Sequence, residues 1–162
     1  MAEYEHVVQP FSPVYDRSSK VLILGSLPSV KSREQGFYYG HPQNRFWKVL
    51  AAVLDEAVPD TIEEKTAMLL GRGIAIWDVI ESCDIKGSSD SSVRNARPAA
   101  VEKLLAESSI ERIYVNGNLA KKLYDKFLAE RTGIEAEKLP STSPANAAYS
   151  LERLIEAWRV VK

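Results

Sequence analysis

The chain has 162 residues, 45% hydrophobic and 27% charged, with a net charge of −1. That length and balance suit one globular domain, spanning residues 1–162, and the near-even charge gives no global pull toward nucleic acid. A single cysteine, Cys83, excludes an intramolecular disulfide and a cysteine metal cluster; no run of eighteen apolar residues could cross a membrane; and with no basic-then-apolar leader the expected location is cytoplasmic.

Residues 1–19 hold Pro10 and Pro13 and read as a peripheral surface segment. Val21-Leu22-Ile23-Leu24 is too short for a helix and branched enough for a buried strand, expected over residues 20–24. Gly25-Ser26-Leu27-Pro28-Ser29 breaks that strand, and a loop continues to residue 43 through Gly36-Phe37-Tyr38-Tyr39-Gly40-His41-Pro42. A helix follows over 44–55, with Phe46, Trp47, Leu50, Val53 and Leu54 on one side. Thr61-Ile62-Glu63-Glu64 is a capping box opening a helix that stops near Gly71 and Gly73. A second strand spans 74–80. Residues 81–97 are polar and longer than the usual connection, which marks them as functional or mobile. Pro98 opens a helix carrying Val101, Leu104 and Leu105. A third strand spans 110–115, with Asn116-Gly117-Asn118 as turn and cap, and the next helix is striped by Leu119, Leu123, Tyr124, Phe127 and Leu128. A short fourth strand is expected over 135–139, then a helix with Ala147, Leu151, Leu154, Ile155 and Trp158. Strands alternating with helices give an α/β fold with a parallel sheet covered on both faces. The loops at 25–43, 77–97, 116–118 and 141–146 should gather at the carboxyl edge, where such sheets bind ligands.

From the residues alone, Asn44 is either a helix cap or an amide that orients a water. Tyr38 and Tyr39 either plug the loop onto the core or face outward, and His41 reads as a turn histidine or a proton-transfer group. There is no G-x-S-x-G elbow, no G-x-G-x-x-G and no Walker loop.

The stretch GSLPSVKSREQGFYYGHPQNRFW, residues 25–47, resembles the uracil-DNA glycosylase superfamily. Its GS-x-P loop followed by HPxNxFW is the pattern of the hypoxanthine-DNA glycosylase branch, the DNA-deoxyinosine glycosylases. The related mismatch-specific uracil- and thymine-DNA glycosylases carry an Asn where this chain has Leu27. Ile76-Trp77-Asp78-Val79-Ile80 and Leu139-Pro140-Ser141-Thr142-Ser143-Pro144-Ala145-Asn146 extend the likeness over most of the chain.

The resemblance implies a three-layer α/β/α sandwich around a four-stranded parallel sheet. It implies a monofunctional enzyme that hydrolyses the N-glycosidic bond of a deaminated base, hypoxanthine in DNA, and so initiates base excision repair. A uracil- or mismatch-directed enzyme and a catalytically silent nucleic-acid-binding module are the alternatives. Asn44 is the implied catalytic residue, and the implied base pocket is Gly25, Ser26, Leu27, Pro28, Tyr39, Phe46, Trp77 and Asp78. Tyr39 would stack on the flipped base, and Asp78 would either accept from a purine N–H or anchor a loop. Ser141, Thr142, Ser143, Pro144, Ala145 and Asn146 would push into the duplex, Ser141 standing where uracil enzymes often show a His. Lys31, Arg33, Arg45 and Arg94 are the expected phosphate contacts. The partner is DNA, with no membrane; no cofactor, metal or iron–sulfur cluster is expected, and the chain should act as a monomer.

Overall fold

The computed structural model describes residues 3–27, 30–86 and 90–162, with no side-chain description for Val30, Lys31, Ser32 and Asp90. The strands are β1 (Glu5–Val8), β2 (Val21–Gly25), β3 (Ile74–Asp78), β4 (Ile80–Ile85), β5 (Arg94–Pro98), β6 (Arg112–Asn116) and β7 (Ala136–Leu139). The helices are α1 (Val30–Gln35), α2 (Phe46–Leu54), α3 (Ile62–Gly71), α4 (Val101–Ala106), α5 (Asn118–Phe127), α6 (Ala129–Thr132) and α7 (Leu151–Trp158).

Four of the strands make the parallel sheet, in the order β3-β2-β6-β7. The central strand β2 is buried at every residue. Its side chains alternate: Val21 and Ile23 enter one core with α2, α3 and α7, and Leu22 and Leu24 enter the other with α4, α5 and α6. A one-residue slip would exchange these two sets, so both cores fix the register. That register sets Gly25 beside Asp78 at the carboxyl ends of β2 and β3. The α/β sandwich with a four-stranded parallel sheet is the architecture the sequence implied.

A second sheet is new. It is antiparallel, three-stranded and ordered β1-β4-β5. Residues 81–97 are therefore not a long open connection: apart from 87–89, which lie outside the described residues, they fold back as strands β4 and β5. Register shifts on either side of Ser82 break the two-residue alternation, leaving Ile80, Cys83 and Ile85 as the buried positions. That irregular spacing hid the strand from a period-two reading. The N-terminal segment is also more than a surface lead-in. It supplies β1, and Val14 bridges Ile76 on β3.

Helix α1 falls inside what read as loop. Helix α2 starts two residues later than expected, at Phe46, with the Asn44 Oδ1 accepting the Phe46 N–H at 2.9 Å. The capping box holds: Thr61 Oγ1 accepts from Glu64 N at 3.0 Å, while the Glu64 carboxylate reaches Asp60 N at 3.1 Å. Ser150 caps α7.

Candidate active site

A cavity of about 620 Å³ opens at the carboxyl edge of the parallel sheet, lined by residues from the ends of β2, β3, β6 and β7 and from the loops after them. Gly25, Ser26 and Leu27 line it, as do Tyr39, Asn44 and Asp78. Those six come from the motif-bearing stretches singled out in the sequence. Pro28 lies outside the described residues.

Backbone bonds hold this edge together. Val79 N donates to Gly25 O at 2.8 Å and Ile80 N to Ser26 O at 3.1 Å, so the loop leaves β2 in a fixed direction. Gly25 is required by close approach. A Cβ there would stand 2.5 Å from Asp78 Oδ1 and 3.0 Å from the Tyr39 hydroxyl. Asp78 is 3% exposed, and its Oδ2 accepts from the Gln9 amide at 2.7 Å. Burial pushes its pKa up to about 6, with the Gln9 hydrogen bond pulling the other way.

Asn44 N donates to His41 O at 2.9 Å, and its side-chain oxygen accepts the N–H of Phe46, the first residue of α2, one position before the N-cap Arg45. That bond orients the amide, because a backbone N–H demands the oxygen end. The amide nitrogen has no hydrogen-bond partner among the described residues, and the side chain faces the cavity. Turn bond and catalytic group are thus compatible roles of one residue. His41 is a turn residue: its Nδ1 accepts from Gln43 N at 3.0 Å.

Tyr39 has a left-handed backbone, φ 53°, and its ring stacks on Phe46 with centroids 3.9 Å apart. Its hydroxyl is buried without a hydrogen-bond partner; burial and then the nearby Asp78 charge raise its pKa, and Asn116 pulls it the other way. The Asn116 amide is engaged elsewhere, with both its ends on Thr142. Tyr38 plugs the loop onto the core, donating to Ser12 O at 2.9 Å, and Trp47 Nε1 donates to Tyr38 O at 3.1 Å.

Two of the expected pocket residues do not reach the cavity. Phe46, 1% exposed, stands behind Tyr39 as its backing ring. Trp77 precedes Asp78 on a strand, so the two side chains leave on opposite faces, and its indole packs into the cores.

The 141–146 loop forms the other wall. Ser141, Thr142, Ser143, Ala145 and Asn146 line the cavity, and Pro144 and Ala145 are its exposed tip. Thr142 is fully buried, so it supports the loop and does not face a duplex. The Asn146 amide donates to Ser141 O, and Trp158 Nε1 holds Pro140 O, both at 3.0 Å. Arg45 is a clamp on this loop, where a phosphate contact was expected. Its guanidinium donates to Tyr149 O, Ser143 O and Asn146 O, and its backbone N–H to Thr142 O.

Arg33 and Arg94 belong with the antiparallel sheet. Arg33 pairs with Glu5 at 3.2 Å, and the Arg94 guanidinium lies 3.4 Å over the Tyr4 ring. The Lys31 side chain lies outside the described residues. Sequence reasoning missed Gln9, Asn116 and Lys138. Lys138 lines the cavity rim and donates to Asn118 Oδ1 at 2.9 Å. Asn116 and Lys138 were findable, since each lies at the carboxyl end of a parallel strand; Gln9 carried no signal. Among the described residues no group of three His, Cys, Asp or Glu side chains could hold a metal ion, and no helix is long and apolar enough to cross a membrane.

A family model described as the uracil DNA glycosylase superfamily matches residues 12–162. A hypoxanthine DNA glycosylase of Methanosarcina acetivorans is 33% identical over 155 residues, covering 93% of this chain and 95% of that protein. Its counterpart in Methanosarcina barkeri is 31% identical over 153 residues, covering 93% and 94%. A solution NMR structure from Methanosarcina acetivorans, provisionally described as a uracil DNA glycosylase, superposes with a TM-score of 0.79 at 30% identity, covering 94% of this chain and 97% of that one. The chain belongs to the uracil DNA glycosylase superfamily.

Proposed function

We propose that this chain is a monofunctional DNA glycosylase that releases hypoxanthine from deoxyinosine in DNA and leaves the strand intact. The observation that carries the reading is Asn44, fixed by its bond to Phe46 N with its side chain facing a cavity sized for a flipped nucleotide. Breaking the N-glycosidic bond builds positive charge on the sugar and negative charge on the departing base. A water held by the Asn44 amide meets the first, and polar groups of the pocket meet the second. A strong nucleophile is unnecessary when the leaving group is good.

Leu27 puts an apolar side chain on the cavity where mismatch-uracil relatives carry an Asn, and Ser141 lines it where uracil enzymes often carry a His. Both differences favour hypoxanthine over uracil. Lys138 at the rim is exposed, and so lacks the desolvation that activates a Schiff-base lysine. The chain would act as a monomer, with DNA as its partner and without a cofactor.

Base release from duplexes carrying deoxyinosine, deoxyuridine or deoxyxanthosine tests this directly. Hypoxanthine should be released fastest, and strands should break only after alkali. A covalent adduct trapped by borohydride, or faster release of uracil, would overturn the reading.

A further inference from the structure

Asn44 is held from both sides of its backbone and by its side chain. Its N–H donates to His41 O, and its side-chain oxygen accepts the Phe46 N–H, both within its own turn. The remaining hold comes from a distant part of the chain, the 141–146 loop. The peptide that joins Asn44 to Arg45 turns its N–H onto Thr142 O at 3.0 Å. A peptide is planar, so fixing that N–H fixes the backbone rotation at Asn44 and the direction in which its side chain leaves.

Thr142 can do this because it is itself pinned. It is fully buried, and its N–H, its hydroxyl and its carbonyl are all hydrogen-bonded. The N–H donates to Asn116 Oδ1 at 3.1 Å, and Asn116 Nδ2 donates to the hydroxyl oxygen at 3.0 Å. A backbone N–H demands the oxygen end of an amide, so only one orientation of Asn116 makes both bonds. Asn116 is the last residue of β6, which lies between β2 and β7 in the parallel sheet. A path of hydrogen bonds therefore runs from the sheet edge, through two side chains, to the peptide after Asn44. A valine would fill the space of Thr142 without burying a hydroxyl; the hydroxyl is there for the bond it makes.

We propose that Thr142 is a positioning residue for base release: anchored by Asn116, it registers Asn44 against the sheet edge on which the cavity is built. Being fully buried, it acts through Asn44 and contacts neither the duplex nor the base. The inference rests on the reading of Asn44 as the residue that holds the water.

Thr142→Val keeps the volume and the backbone bonds and deletes the hydroxyl; Thr142→Ser keeps the hydroxyl. In single-turnover release from deoxyinosine duplexes, Thr142→Val should lower the maximal rate by about 10–10²-fold, the scale of a displacement of about 1 Å. The duplex concentration giving half the maximal rate should stay that of wild type, and Thr142→Ser should recover most of the rate. A loop residue that gripped the duplex would move the half-maximal concentration instead. The second arm is a double-mutant cycle. In an Asn44→Ser background, Thr142→Val should have almost no further effect, because a group that acts only through Asn44 has nothing left to position. Full additivity of the two losses overturns the inference, and so does a wild-type maximal rate in folded Thr142→Val. If Thr142→Val does not fold, Asn116→Ala removes the same side-chain bonds from the sheet side and is judged by the same cycle.

The Asn44 side-chain NH₂ gives a readout that needs no activity. In proton–nitrogen correlation spectra its signals are those that Asn44→Ser removes. They should match wild type in Thr142→Ser and be shifted or broadened in Thr142→Val; signals unmoved in Thr142→Val overturn the inference. A wild type that releases no base from any duplex, but whose Asn44 signals respond to Thr142→Val, would sink the base-release reading and leave the registration of Asn44 standing.

Discussion

The floor of the cavity and the 141–146 loop are both polar and both sit at the carboxyl edge of one sheet, yet their polar groups are met in opposite ways. In the loop, the polar groups are largely bonded by the surrounding chain, with Arg45 Nε left buried and unpartnered. Arg45 donates to three of its surrounding carbonyls, Thr142 exchanges two hydrogen bonds with Asn116, and the Asn146 amide returns to Ser141 O. On the floor, the Tyr39 hydroxyl is buried without a partner, Tyr39 holds a left-handed backbone, and among the described residues the buried Asp78 carboxyl is hydrogen-bonded by Gln9 alone. An unmet buried hydroxyl costs about 1–3 kcal/mol, and a left-handed non-glycine residue a similar amount. A bonded loop keeps a shape; the floor holds its groups at a standing cost.

The largest effect should come from removing the amide proposed as catalytic while keeping its local bond to Phe46 N. A serine hydroxyl can make the same local turn bond to Phe46 N, so Asn44→Ser should melt close to wild type. Its single-turnover base release should nevertheless fall by about 10²–10⁴-fold. A folded Asn44→Ser protein with near-normal release would move the chemistry away from Asn44.

Breaking the loop's clamp should cost less in rate and more in stability. Arg45→Met leaves the Tyr149, Ser143 and Asn146 carbonyls without their charged donor, a loss of about 1.5–3 kcal/mol in denaturant unfolding. Release should slow on the order of 10²-fold, as expected when a positioning element shifts by about 1 Å. The salt dependence of DNA binding should not change. A reduced salt slope at normal stability would return Arg45 to the phosphate contacts the sequence suggested.

That misplacement shows what a sequence reveals and what it hides. The sheet was legible because β2 is uniformly apolar and its neighbour β6 is followed by a helix stripe. The motif residues Asn44, Tyr39 and Asp78 were legible because their loops end parallel strands. Charge was misread. Arg33, Arg45 and Arg94 look like free cations in one dimension, and only the fold brings Glu5, three carbonyls and the Tyr4 ring to them. Gln9 was invisible for the same reason, since it meets Asp78 across 69 positions of the chain.

The floor makes a prediction about stability of its own. Burial raises the pKa of the Asp78 carboxyl from 3.8 to about 6. Between those values the folded state binds a proton that the unfolded state has lost, so this group's contribution is most favourable below about pH 4 and declines as pH rises to about 6. Above that it is a constant penalty of about 3 kcal/mol, because each tenfold change in proton affinity is worth about 1.4 kcal/mol. Asp78→Asn removes the titration. Relative to wild type it should be more stable at pH 7.5 than at pH 4.5 in thermal unfolding. A variant equally displaced at both pH values would mean that the Asp78 carboxyl is not held unfavourably charged.

The smallest effect concerns where the DNA lies. With a net charge of −1, only local cations can neutralise phosphates, and few of them stand at the cavity edge. Lys138 is exposed at the rim with its ammonium on Asn118 Oδ1, a neutral acceptor that does not cancel its charge. Arg33 and Arg94 are engaged on the antiparallel sheet by Glu5 and Tyr4. Lys138→Ala should therefore lower the slope of log affinity against log salt by about 0.9, the value of one phosphate contact on duplex DNA. Arg33→Ala and Arg94→Ala should leave that slope where it is. None of the three should change which base is released, because phosphate contacts orient a duplex and carry no base information. Filter binding across a salt series, with product analysis on the same samples, decides it. If Arg94→Ala flattens the slope and Lys138→Ala does not, the duplex lies against the antiparallel sheet, and the 141–146 loop is not the element that presses into it.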